Sequence, residues 1–180
     1  LDPVYTIGEQ IVEAIRAHSR MSKNDAQRQA LELLHLVQLP EPERRINHYP
    51  HQLSGGQLQR IVIAMAVSCD PDLLIADEPT TALDVTVQAE ILELLRDLGA
   101  RLNASVLFIT HDMGVVADLA DRVIVMRDGR IVEEALVGEL FAAPKAEYTQ
   151  NLLSSVPHLG KGQHEEISQS ADVSSSAEAS

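Results

Sequence analysis

The sequence predicts an α/β protein built on a parallel sheet and closed by a hairpin. Three observations carry this reading. Two short apolar runs, residues 73–76 and 106–109, read as buried strands. Between them Val87, Ile91, Leu94, Leu95 and Leu98 recur at helical spacing, and strands that alternate with helices argue for parallel pairing. Farther on, Asp128-Gly129 separates residues 122–126 from 130–133, as a two-residue hairpin turn does.

The elements follow in order. Residues 4–50 look helical: Ile11, Val12 and Ile15 mark a short amphipathic pattern. Ser22 and Asp25 suggest a capping box, after which Ala26, Ala30, Leu33, Leu34 and Val37 share a face. Pro40 and Pro42 stop that helix. A second helical face, Leu58, Ile61, Val62, Met65 and Ala66, follows Gly55-Gly56, and Cys69 at its end reads as a small buried residue. Asp84 can cap the helix of residues 87–98, with Gly99 at its end. Residues 147–155 form a last short helix before Pro157.

Composition limits what such a chain does. Its 180 residues carry 14 Lys and Arg against 27 Asp and Glu, a net charge of −13. That balance argues against a general binder of nucleic-acid backbone, which needs clustered cations. One cysteine excludes an internal disulfide and any multi-cysteine cluster. The apolar run from residue 61 to 67 is far short of the ~20 residues that span a bilayer. No basic-then-apolar signal layout opens the sequence, so a soluble, cytoplasmic protein is expected. Residues 161–180 hold six serines and four acids, with Ile167 and Val173 as their sizeable apolar residues, and are expected to be a disordered tail or linker.

Three stretches carry chemistry. In Leu53-Ser54-Gly55-Gly56-Gln57, paired glycines permit close approach to a ligand, and the helix that follows offers N–H groups and a positive dipole end to a phosphate. Ser54 and Gln57 fit a simple capping box equally well. Residues 73–76 run as a strand into Asp77 and Glu78, at the end of a parallel strand where open α/β sheets bind ligands. Asp77 there suits Mg²⁺, which prefers oxygen ligands, and Glu78 suits a base that deprotonates water. The second strand delivers His111 to the same edge, either to meet a terminal phosphate or as a structural side chain. Asp84 ends the intervening turn and can be merely an N-cap. His48 and His51 lack further clustered ligands and read as packing.

In their order, Leu53–Gln57, Leu74–Thr80, Ala82–Asp84 and Thr110–Asp112 resemble the ATP-binding cassette (ABC) transporter ATPases. The resemblance implies an incomplete P-loop NTPase (RecA-like) fold with a helical signature subdomain. Ser54, Gly55, Gly56 and Gln57 match the family's signature, Asp77 and Glu78 the Walker B aspartate and catalytic glutamate, Asp84 the D-loop and His111 the switch histidine. Tyr49-Pro50-His51-Gln52, together with residues 76–84 and 109–116, resembles the branch that imports dipeptides, oligopeptides, nickel and glutathione. Phe141-Ala142-Ala143-Pro144 and Tyr148-Thr149 are similar to that branch's C-terminal extension.

This implies a helical subdomain over residues 1–70, the rest of the core over 71–143 and the start of the extension over 144–160. It also implies ATP and Mg²⁺ as cofactors, permease subunits and a second cassette as partners, an indirect link to a substrate-binding protein, and no nucleic acid. The expected place is the cytoplasmic face of the membrane, and the expected role is ATP hydrolysis coupled to import of peptides or a related solute. The alternative is a relic or regulatory piece that keeps only a docking surface. Two features depart from the family. No G-x-x-x-x-G-K-[ST] occurs in the 180 residues, and Gly160-Lys161 is a decoy because Ser155 holds the first glycine position. The start at Leu1 then suggests a C-terminal fragment of a longer chain. Lys145-Ala146-Glu147-Tyr148 replaces the branch's usual His-Pro-Tyr.

Overall fold

A computed structural model describes residues 1–155. The chain divides into two compact units, Leu1–His111 and the part from Asp112 onward. The expected tail at 161–180 lies outside the described residues, as does part of the expected extension.

The first unit opens with three helices. α1 (Ile7–His18) starts at a true capping box, Thr6 with Glu9, and buries Ile7, Ile11, Val12 and Ile15 along one face. α2 (Lys23–Leu36) starts at Ser22, whose hydroxyl accepts from the Asp25 N–H at 3.2 Å and donates to Asp25 Oδ2 at 2.6 Å. The reciprocal bond to the Ser22 backbone does not close, since Asp is one methylene shorter than the Glu of a full box. α3 (Pro42–Arg45) begins on Pro42. That proline therefore starts a helix rather than only stopping one, its missing N–H costing nothing at a first turn.

α4 (Gly55–Ala66) follows, then the parallel strands β1 (Leu73–Asp77) and β2 (Ser105–Ile109), joined by α5 (Val85–Leu102). Their register pairs Ile75 with Leu107 and Asp77 with Ile109. Leu74 and Ala76 face a core shared with α1, α2, α4 and α5. The other sheet face is open: Leu73, Ile75, Leu107 and Ile109 are all exposed, so these strands are half-buried rather than buried as expected. α4 turns Ile61, Ile63 and Ala64 inward. Val62 and Ala66, read from the sequence as core, face outward, because Ile63 and Ala64 complete the inward stripe. Cys69 is likewise exposed, beyond the end of α4. α5 runs through Gly99 and ends three residues later, with Asn103 as left-handed cap. A Cβ on Gly99 would fall 2.8 Å from Val106 Cγ2, so this glycine serves helix–strand packing and not termination.

In the second unit, α6 (Met113–Leu119) precedes the antiparallel hairpin of β3 (Arg122–Arg127) and β4 (Arg130–Leu136). Asp128 and Gly129 both take positive φ, the requirement of the tight turn read from the sequence. α7 (Val137–Ala142) and α8 (Glu147–Ser154) close the described chain around Met113, Val125 and Leu140. Glu133 on β4 accepts the backbone N–H groups of Lys145 and Ala146 at 2.8 and 3.0 Å, which pins the entry to α8. The nearby Thr149 hydroxyl does most to hold the Glu133 carboxyl below its usual range, although it falls outside good hydrogen-bond geometry; those two N–H groups come next.

Candidate functional site

β1 and β2 end side by side, so the residues just past them share one sheet edge. The Glu78 N–H donates to the Ile109 carbonyl at 2.9 Å, which extends the ladder by one bond. Glu78 itself has φ +46°, the left-handed region that few residues with a Cβ adopt. This bend takes its carboxylate off the strand axis. Oε1 lies 2.7 Å from His111 Nδ1, and Oε2 accepts from the Thr81 hydroxyl at 3.2 Å. The hydrogen bond from His111 is the largest cause that holds the Glu78 carboxyl below its usual range; the histidine's charge and Thr81 add to it. Glu78 is thus ionised at neutral pH. An ionised carboxylate only accepts, so Nδ1 carries the proton of this bond. The His111 side chain is 85% exposed, which leaves the pair open to a ligand from solvent.

Asp77 ends β1 with an exposed side chain, one residue before Glu78. Among the described residues no group of three or more His, Cys, Asp or Glu is arranged to hold a metal. One exposed carboxylate beside a second fits Mg²⁺, which binds through one or two carboxylates and completes its shell with water and phosphate oxygens. Among the described residues His48 and His51 belong to no cluster of three or more His, Cys, Asp or Glu; the His51 ring stacks on Tyr49 at 5.8 Å.

Ser54 caps α4. Its hydroxyl accepts from the Gln57 N–H at 3.4 Å, while Gln57 Oε1 accepts from the Ser54 N–H at 3.1 Å. The capping box allowed by the sequence is therefore formed, and the Gly55 and Gly56 N–H groups remain at the positive end of the helix dipole. The glycines have a packing cause as well. A Cβ on Gly56 would fall 2.5 Å from Val87 Cγ1, and one on Gly55 3.3 Å from Leu83 Cδ2. The head of α4 thus sits directly against the turn that Asp84 closes. Asp84 Oδ1 caps α5 by accepting from the Val87 N–H at 3.0 Å.

A shallow groove of about 350 Å³ runs between these parts, lined among others by Gly55, Leu58, Val62, Thr81, Ala82 and Leu83. It links the head of α4 to Thr81, the hydroxyl that touches Glu78. A larger groove of about 430 Å³, lined by Arg60, Glu90, Glu93 and Asp97, includes none of the candidate residues. Two contributors were not legible beforehand. Thr81 sat inside a stretch read only as a turn. Arg45 donates from Nη1 to Gln57 Oε1 at 3.2 Å, from 12 residues away, and no local signal marks it.

Comparison with known proteins bears on this geometry. A family model described as ABC transporter matches residues 1–81. A probable peptide ABC transporter ATP-binding protein of Sinorhizobium fredii is 56% identical over 167 residues, 93% of this chain and 50% of that protein. A glutathione import ATP-binding protein of Pectobacterium atrosepticum is 58% identical over 160 residues, 89% of this chain and 26% of that protein. An oligopeptide transport ATP-binding protein of Bacillus subtilis is 53% identical over 93% of this chain and 47% of its own length. The chain therefore spans half or less of the curated relatives it matches. Among solved structures, a dimeric ATP-binding cassette in a post-hydrolysis state, bound to ADP and Pi, aligns with TM-score 0.66 and 36% identity. The alignment covers 76% of this chain and 59% of that one. The two parallel strands and the helical region before them are thus those of a partial P-loop NTPase fold, and in sequence and structure the chain is similar to the ABC transporter ATPases.

Proposed function

We propose that this chain is part of the ATP-hydrolysing subunit of an importer for peptides or a related small solute, in which ATP turnover drives transport. The observation that carries the reading is the Glu78–His111 pair, 2.7 Å apart at the carboxyl ends of two parallel strands and open to solvent. Relatives whose names specify peptide, oligopeptide and glutathione transport support the solute class.

In this mechanism Glu78 accepts a proton from the water that attacks the terminal phosphate of ATP. His111 holds the Glu78 carboxylate in place and meets the same phosphate. Asp77 would hold Mg²⁺, directly or through water, and the ion would supply charge neutralisation on the phosphates. The head of α4, with Ser54, Gly55, Gly56 and Gln57, faces the nucleotide of a second cassette, and Asp84 holds the neighbouring turn. The phosphate-cradling loop is supplied from outside these 180 residues, which contain no G-x-x-x-x-G-K-[ST] turn. Membrane permease subunits are the partners that receive the motion, and a substrate-binding protein acts through them. No helix among the described residues is long and apolar enough to cross a membrane, which suits a subunit that docks at the cytoplasmic face.

The test uses the complete ATPase with its permease in vesicles. Glu78→Gln is expected to lower kcat by about 10²–10⁴-fold while ATP binding persists, since the amide keeps the shape and loses the base. Turnover that survives this change would remove Glu78 as the base. The 180 residues on their own are expected to show no turnover, and Glu78-dependent hydrolysis by them would overturn the division of the site.

A further inference from the structure

The head of α4 has an anchor outside its own turn. Arg45, at the end of α3, donates from Nη1 to Gln57 Oε1 at 3.2 Å. The same oxygen accepts the Ser54 N–H at 3.1 Å. Glu41 braces the guanidinium from the other side, with Oε2 3.4 Å from Nη2. The Arg45 side chain is only 20% exposed, and its Nε is buried without a partner among the described residues. This arginine is therefore fixed in the fold and does not sweep through solvent. Both acceptor sites of the Gln57 carbonyl oxygen are occupied. A carboxamide flip would set an NH₂ group against two other donors, so one orientation is enforced. What remains for an acceptor outside the chain is the Gln57 amino group.

We propose that Arg45 is a positioning residue for Gln57: it locks the carboxamide so that the amino group is presented, as a donor, to an acceptor oxygen of the nucleotide at the head of α4. Arg45 acts through Gln57 and does not touch the nucleotide. The proposal rests on the nucleotide-facing role given to Ser54–Gln57 above.

Two measurements test it. The first needs no turnover: in ¹⁵N spectra of the chain, Gln57 Nε2 and its two protons are expected to resonate away from the positions of a solvent-exposed glutamine. Arg45→Ala should move them toward those solvent-exposed positions, and Arg45→Lys should restore much of the displacement. Unchanged Gln57 signals in Arg45→Ala would overturn the lock. The second is steady-state ATP turnover by the complete ATPase with a thermal melt of each variant. Arg45→Ala is expected to raise KM for ATP about tenfold, and so is Gln57→Ala; the double variant should be no worse than Gln57→Ala alone, because one acts through the other. Effects that multiply would overturn the proposal. Gln57→Glu keeps both acceptor contacts and gains a full charge toward Arg45, yet offers no amino donor. It is expected to melt at or above the parent while KM still rises; a parental KM would overturn the proposal even if Arg45→Ala fails to fold. Absence of Glu78-dependent turnover in the parent would instead refute the assigned function, and the ¹⁵N result would still decide the lock.

Discussion

Glu78 joins two unusual conditions in one residue: a left-handed backbone and a carboxylate paired to histidine. The sequence singled out Glu78 and His111 separately, because a strand run that ends in Asp-Glu and another that ends in Thr-His are visible patterns, but it did not pair them. It gave no sign of the backbone, since φ is set by the turn through Pro79 to Leu83 and not by Glu78's own preference. The pairing has a definite sign. A carboxyl held below its usual range in the folded state contributes stability above the ordinary carboxylate pKa and loses it as pH falls through the lowered value. His111→Ala removes the largest cause. Its Glu78 titration, followed by carboxyl ¹³C shifts, is expected to move up toward the ordinary value; an unmoved curve would mean that other groups hold the charge.

Among the elements, the contact between α4 and α5 is the tightest constraint around the site. Gly56→Ala pushes a methyl into Val87, and overpacking of this kind costs about 1–3 kcal/mol. Val87→Ala in the same chain should recover part of that loss, as read by denaturant midpoints. If it recovers none, a contact other than Val87 sets the cost. The glycine pair was legible as a feature, but its packing reason was not, because Val87 lies thirty-one residues away in sequence. Helices with strong periodicity, α1, α2 and α5, were legible in their buried residues. The short α6 and α7 were not read, having too few turns for a pattern to emerge. Sheet burial was overestimated, because an apolar strand run reads the same whether one face is covered or two.

For the molecule as a whole, charge sets the response to pH. The net charge is −13 and the isoelectric point about 4.8. Glu9, Asp25, Glu78 and Glu133 all have carboxyls held below their usual range. Each favours the folded state while ionised, so stability is expected to decline as pH falls below about 4. Solubility should pass through its minimum earlier on the same descent, near the isoelectric point, where mutual repulsion vanishes. Melts and turbidity recorded from pH 7 to 3 will separate the two; a fall in stability that begins above pH 6 would point to histidines instead. Close to that minimum the open face of β1 and β2 acquires a second meaning. Leu73, Ile75, Leu107 and Ile109 form one apolar patch on a parallel pair. When chains refold together, such patches meet one another as readily as they meet their own cores. Recovery after dilution from denaturant should therefore drop with protein concentration, and Ile75→Lys should flatten that dependence. The quantity that limits preparation of this chain is then its yield per refolding collision, and not the height of its melting temperature.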